Sequence, residues 1–159
     1  DISSSKWRKV GCGVASLAMV IDYYLPAVPV DTLLRNGIAS GAYLTNAGWT
    51  YKGLIALAEK YDLEGSSYDF ASLNTMSAFS ELKSALIDGP VIVSVHYKFN
   101  PKSTIPHLVV IEGIEGDNLY YSDPAASEGD KKISTEKFLK AWKKRFIVIR
   151  PALANHAFI

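Results

Sequence analysis

The sequence predicts an α+β fold in one domain, with an N-terminal helical lobe packed on a C-terminal antiparallel β-sheet. Apolar residues recur at helical spacing in the first half of the chain, while β-branched and aromatic runs dominate the second. A Glu115-Gly116-Asp117-Asn118 turn joins two of those runs as a hairpin. The chain has 159 residues, 48% of them hydrophobic and 21% charged, enough for one buried core without staples.

Gly13 to Leu25, closed by Pro26, reads as a buried helix that starts at the cysteine. Val30 to Asn36 predicts a short amphipathic helix stopped by Gly37. Gly41 to Gly48 is polar and glycine-containing, hence loop. A helix from about Thr50 to Tyr61 turns Leu54, Ile55, Leu57, Ala58 and Tyr61 to the core. Another, from about Ser77 to Ile87, buries Phe79, Leu82, Ala85 and Leu86 before the Asp88-Gly89-Pro90 turn. Strands follow at Val91 to Tyr97, Leu108 to Ile114 and Asn118 to Ser122. Ala125 to Lys132 reads as surface loop, and Ser134 to Lys143 as a helix capped by Ser134 or Thr135, with Glu136 in its first turn. Phe146 to Arg150 closes the sheet.

The formal charge of +1 predicts no nucleic-acid partner, and Lys140, Lys143, Lys144 and Arg145 read as the solvated end of that helix. No apolar run reaches the roughly 18 residues of a membrane span, and Asp1 to Lys9 lacks the apolar core of a signal peptide. If the protein is exported, its signal lies outside this stretch. One cysteine excludes an internal disulfide and a multi-thiolate zinc site.

That cysteine, Cys12, lies between Gly11 and Gly13 at a helix start. A free cysteine is commonly a small buried hydrophobe. Flanking glycines let a backbone approach a substrate, and helix N–H groups favour the thiolate and can donate to an oxyanion. His107 opens the strand LVVIEGI, where a histidine is often structural, and Asp123 precedes Pro124, where an aspartate often initiates a turn. A hairpin centred near Glu115-Gly116 brings 107 and 123 opposite each other on one face. Together the three read as nucleophile, general base and orienting carboxylate.

The blocks GCGVASLAMVIDYY, GWTYKGLIALAEKYDL, DGPVIVSV, HLVVIEGI, NLYYSDPA and KISTEKFLKAW, in this order and over nearly the whole chain, resemble the C39-like peptidase family. That family is related to the leader-peptide peptidases of bacteriocin export transporters. The resemblance implies a papain-like fold, a Cys12, His107, Asp123 triad, a bacterial source, and export to the cell surface or beyond. The family usually carries a glutamine shortly before the cysteine to complete the oxyanion hole. This chain has none at all. The donor lies upstream of Asp1, or Ser3, Ser4, Ser5, Lys6 or Trp7 replaces it, or turnover is slow.

A cysteine peptidase or amidase, monomeric, without cofactor or metal, acting on peptides or cell-wall cross-links, is the resulting expectation. Gly11 and Gly13 admit the substrate backbone, and Gly41, Gly48, Trp49 and Tyr51 line a narrow cleft of the kind a Gly-Gly leader requires. Two alternatives stand beside it: a non-catalytic peptide-binding module, motivated by the missing glutamine, and a metal-dependent hydrolase built on His96, His107 and Asp123. His96, in VIVSVHY, is also the competing base; His156 lies in a peripheral tail.

Overall fold

The computed structural model describes residues 12–25, 43–44, 48–123 and 131–152. The elements are α1 (Cys12–Tyr24), β1 (Tyr43–Leu44), β2 (Gly48–Trp49), α2 (Tyr51–Glu59), β3 (Leu63–Asp69), α3 (Thr75–Leu86), β4 (Val91–His96), a 3-10 turn (Tyr97–Phe99), β5 (Pro106–Glu115), β6 (Asn118–Ser122), β7 (Lys131–Ser134), α4 (Thr135–Ala141) and β8 (Trp142–Pro151). The α+β class follows. The predicted helix at Val30 to Asn36 and the tail with His156 lie outside the described residues.

The chain divides into two compact units, Asp1–Ser67 with Val148–Ile159, and Tyr68–Ile147. In the first, α1 packs against α2. Leu17, Val20 and Ile21 of α1 are buried, as are Leu54, Leu57 and Ala58 of α2, at the i, i+3, i+4 spacing of one helical stripe. Thr50 caps α2 by accepting from the Gly53 N–H at 2.9 Å, so this helix starts where its sequence signals. Ile55 and Tyr61 stay partly exposed.

In the second unit, α3 starts at Thr75 rather than Ser77, because the Asn74 side chain accepts from Ser77 N–H and caps the helix two residues earlier. Its apolar face is narrower than the pattern implied: Ala78, Phe79 and Leu82 are buried, while Ala85 and Leu86 are half-buried. Strands β4 and β5 are buried on both faces across Val91–Val95 and His107–Ile111, which is why they read as continuous β-branched runs. An aromatic cluster of Phe79, Phe138, Trp142 and Phe146 fills this core.

The six-strand sheet has the order β3-β8-β4-β5-β6-β7. The ladders β8-β4, β4-β5, β5-β6 and β6-β7 are antiparallel. Two of these six strands were not legible in the sequence, and they are the two edges. Of the seven residues of β3 only Leu63 is buried, and of the four of β7 only Ile133. An edge strand that covers little core carries no alternating apolar signal. Lys131 and Lys132 therefore belong to a strand, where a surface loop was expected.

The segment expected as loop at Gly41 to Gly48 contains a short antiparallel ladder, Tyr43 with Trp49 and Leu44 with Gly48. Two residues a side are too few to show a period. The basic run is also corrected. Helix α4 ends at Ala141, not Lys143, because Trp142 turns extended and pairs with Val95. Lys143, Lys144 and Arg145 lie in an irregular stretch of β8, with Lys144 at φ 60°. There the Lys144 ammonium donates to the Leu73 carbonyl at 2.8 Å, and Arg145 Nε–H to Asp69 Oδ2 at 3.2 Å. Only Lys140 remains on a helix.

Candidate active site

His107 is the second residue of β5 and pairs with Val95 of β4, a ladder that fixes its backbone. Its ring is 4% exposed. Asp123 follows the last residue of β6 directly. The ring Nε2–H of His107 donates to Asp123 Oδ1 at 2.8 Å, a charge-assisted contact that fixes one face of the imidazole toward the carboxylate.

The register that permits this differs from the simple hairpin. The tip pairs Glu115 with Asn118, so the turn is Gly116-Asp117, and Gly116 takes a φ of +59°. A positive φ at the first central position is the reason for glycine there. Gly113 pairs with Tyr120, but Ile111 pairs with Tyr121, so Glu112 is an extra residue on β5. Had the tip register continued, Asp123 would fall across from Val110, on the face away from His107. The bulge moves it across from Val109, on the face shared with His107. The two residues are therefore diagonal neighbours, not directly opposite as the sequence suggested, and the diagonal is within reach of an imidazole. The Ser122 hydroxyl donates to the Glu112 carboxylate across the bulge.

Two tyrosines complete the surroundings, and neither was singled out from the sequence. The Tyr97 ring meets the His107 ring edge to face at 5.2 Å. Tyr121 lies two residues before Asp123 on the same face. Burial, and then the Asp123 charge, raises its phenol above the ordinary tyrosine value. The i, i+2 spacing within NLYYSD was a usable signal for Tyr121; nothing local announces Tyr97.

His96 is not a second base at this site. Val95 shares the face of His107, so His96 belongs to the other face, where its Nδ1–H donates to the Ser103 carbonyl at 2.8 Å and pins the loop between β4 and β5. The metal-ligand set of His96, His107 and Asp123 is thereby divided between two faces. Among the described residues no three His, Cys, Asp or Glu side chains gather as a metal site. Cys12 is the first residue of α1, and Gly13 the second. Gly48 and Trp49 form β2, next to the cap of α2, and Tyr51 opens α2. Gly11, Gly41 and the stretch from Ser3 to Trp7 lie outside the described residues.

A model of the Peptidase_C39 like family matches residues 2–146. The chain belongs to that family. As a C39-like chain it is 27% identical over 158 residues to the pediocin PA-1 transport/processing ATP-binding protein PedD of Pediococcus acidilactici, covering 94% of this chain and 20% of PedD. The chain thus spans about a fifth of the length of that curated relative. Among solved structures, a double glycine motif protease from an AMS/PCAT transporter, in complex with its leader peptide, matches at 26% identity with a TM-score of 0.64, covering 89% of this chain and 84% of that one. The peptidase domain of Streptococcus ComA, a bi-functional ABC transporter of a quorum-sensing pathway, matches with a TM-score of 0.69 at 24% identity, covering 94% and 96%. The fold of this C39-like chain is papain-like, and its family is one of cysteine peptidases. No described helix is long and apolar enough to cross a membrane.

Proposed function

We propose that the chain is a cysteine peptidase that hydrolyses peptide bonds by acyl transfer through Cys12. The observation that supports this most is the His107–Asp123 contact at 2.8 Å, in a chain of a peptidase family whose sole cysteine opens a helix. Asp123 engages Nε2, so proton exchange with the thiol runs through Nδ1. His107 takes the Cys12 proton, and the thiolate, favoured by the helix N-terminus, attacks the substrate carbonyl carbon. The C–N bond breaks as protonated His107 gives its proton to the leaving amine. Water, deprotonated by His107, then cleaves the thioester and releases the acid, and Asp123 holds the ring tautomer throughout.

The substrate class is a peptide. A processing role, which its name gives to PedD, on a double-glycine leader of the kind the AMS/PCAT protease is named for, is one form of it; a cell-wall peptide is the other. The reading extends to one monomeric catalytic domain acting at a bacterial cell surface or beyond it. A single unfolding transition, a monomer on size-exclusion chromatography and an extracytoplasmic cell fraction are expected; two transitions, a dimer or a cytoplasmic fraction would each refute that part.

The deciding experiment is the rate of Cys12 alkylation against pH, in the wild type and in His107→Ala, alongside hydrolysis of an internally quenched peptide. A depressed, His107-dependent thiol profile is expected. A thiol titrating near the ordinary value of about 8.5 and no more reactive than free cysteine would sink the reading. The absence of any glutamine favours a second reading, a peptide-binding module with little turnover. Loss of one oxyanion donor costs roughly 10²–10³-fold in rate. Peptide binding with no detectable acyl-enzyme would select the module.

A further inference from the structure

Lys98, Lys132, Lys137 and Lys140 line one recess of about 650 Å³ in the second unit. Its apolar wall comes from Phe99, Pro101, Tyr121 and Ile133, and among the described residues no acidic side chain lines it. The volume falls within the range of ligand sites. In a chain with 17 Lys and Arg against 16 Asp and Glu, four lysines among the residues lining one cavity are a local excess of positive charge. Among the described residues, the ion pair these four make is Lys140 with Glu136, exposed and 3.5 Å long, which offsets little of that charge.

The recess adjoins the His107–Asp123 pair through one side chain. Tyr121 forms part of its wall and stands on the Asp123 face of the sheet, close enough for the carboxylate to act on its phenol. Phe99 packs edge to face on Tyr121 at 4.9 Å. Lys98 and Phe99 both adopt positive φ, 57° and 55°, an unfavourable backbone for side-chain-bearing residues. Both are recess walls. Local hydrogen bonds hold this turn: Asn100 N–H to the Tyr97 carbonyl at 3.1 Å and Tyr97 N–H to the Ile105 carbonyl at 3.2 Å.

We propose that this recess is an exosite for an acidic segment of the polypeptide substrate, which docks its carboxylates on Lys98, Lys132, Lys137 and Lys140 while the peptide passes the His107–Asp123 pair. The proposal rests on the peptidase reading. The four lysines come from three elements: the turn after β4, strand β7, and positions three apart on α4. Ammonium groups on flexible stems, distributed around an apolar wall and without an arginine fork, suit several carboxylates along a chain. A single phosphate calls for converging donors and leaves that wall unused. Such a site raises encounter rates and affinity in a salt-dependent way.

The test uses the Cys12→Ala protein, so that binding is read without turnover. Two fluorescent peptides of equal length are compared by anisotropy at low salt, one with three Glu spaced among apolar residues, the other with Gln in their place. The expected results are a Kd at least tenfold lower for the Glu peptide, loss of that advantage in Lys132→Glu/Lys137→Glu, and no change in Lys83→Glu, an exposed lysine on α3. Circular dichroism checks that the double variant is folded, and Lys132→Gln/Lys137→Gln gives the milder version. Equal affinity for the two peptides, or an unaltered Kd in both double variants, overturns the proposal. So does displacement of the peptide by micromolar inorganic phosphate at matched ionic strength, which makes the recess a phosphate site. If Cys12→Ala prefers the Glu peptide as expected but the wild type cleaves no peptide, the peptidase reading fails and the recess stands only as a docking site for acidic peptides. If the wild type cleaves both peptides with the same KM, the exosite fails alone.

Discussion

Replacing Asp123 with alanine removes the acceptor from a histidine ring that water barely reaches. His107 is 4% exposed and Asp123 14%, so solvent replaces little of the lost contact. At 2.8 Å the bond is of the charge-assisted kind, worth about 1.5–3 kcal/mol, and the stranded Nε2–H adds to the loss. For a chain of this size each kcal/mol lowers Tm by about 2–4 °C, so Asp123→Ala should melt about 3–12 °C below the wild type. Asp123→Asn keeps an oxygen that accepts from Nε2–H and loses only the charge, so its Tm should fall by no more than about half as much. Activity separates the variants in the same order. Asp123→Ala loses the fixed tautomer and should lose about 10²-fold or more in kcat, with Asn intermediate. Thermal unfolding by circular dichroism and hydrolysis of a quenched peptide give the two readouts. An alanine variant with unchanged Tm and kcat within twofold of the wild type would refute the assignment of His107 and Asp123 as a working pair.

Three further outcomes follow from other parts of the structure. A Cβ at Gly65 would lie 2.7 Å from Ile149 Cδ1 and 3.0 Å from Ile55 Cγ1, so Gly65→Val should overpack the first unit by about 1–3 kcal/mol in urea unfolding; an unchanged midpoint would contradict the packing. Gly116 has open space but a φ of +59°, so Gly116→Val should cost about 1–2 kcal/mol through backbone strain alone, while Gly116→Asn, which tolerates that region, costs less; equal losses would argue against the turn. The Tyr121 phenol is raised in the folded state, first by burial and then by Asp123. The folded chain thus holds this proton more tightly than the unfolded chain, whose phenol titrates near 10. That contribution is fully present below pH 10 and is lost as pH rises through the higher folded value. Stability should therefore fall less steeply above pH 10 in Tyr121→Phe than in the wild type; parallel profiles would refute the coupling.

Much of the fold was legible where a segment buries itself by its own pattern. Helix α2 shows its stripe in Leu54, Leu57 and Ala58 and its cap in Thr50, and strands β4 and β5 show unbroken apolar runs because both their faces are covered. The start of α4 was readable from Ser134, which accepts from the Lys137 N–H at 3.2 Å. Its end was not. Trp142 left the helix to pair with Val95, a partner 47 positions away that no local window contains. The edge strands β3 and β7 escaped for the opposite reason, since a strand with one buried residue carries no period to detect.

The candidate site divides along the same line. The sequence by itself determined the residue types and chain order: one cysteine between glycines at a helix start, a histidine opening an apolar strand, and an aspartate ending the next. Those are short-range properties, written in neighbouring side chains. What only the tertiary structure decided is the contact between His107 and Asp123, because it hangs on the parity of the β5-β6 register. One extra residue, Glu112, turns that parity over and carries Asp123 to the histidine's face. Side chains alternate every residue along a strand, so a single bulge reverses which of them meet, and its position is set by pairing between strands rather than by either strand alone.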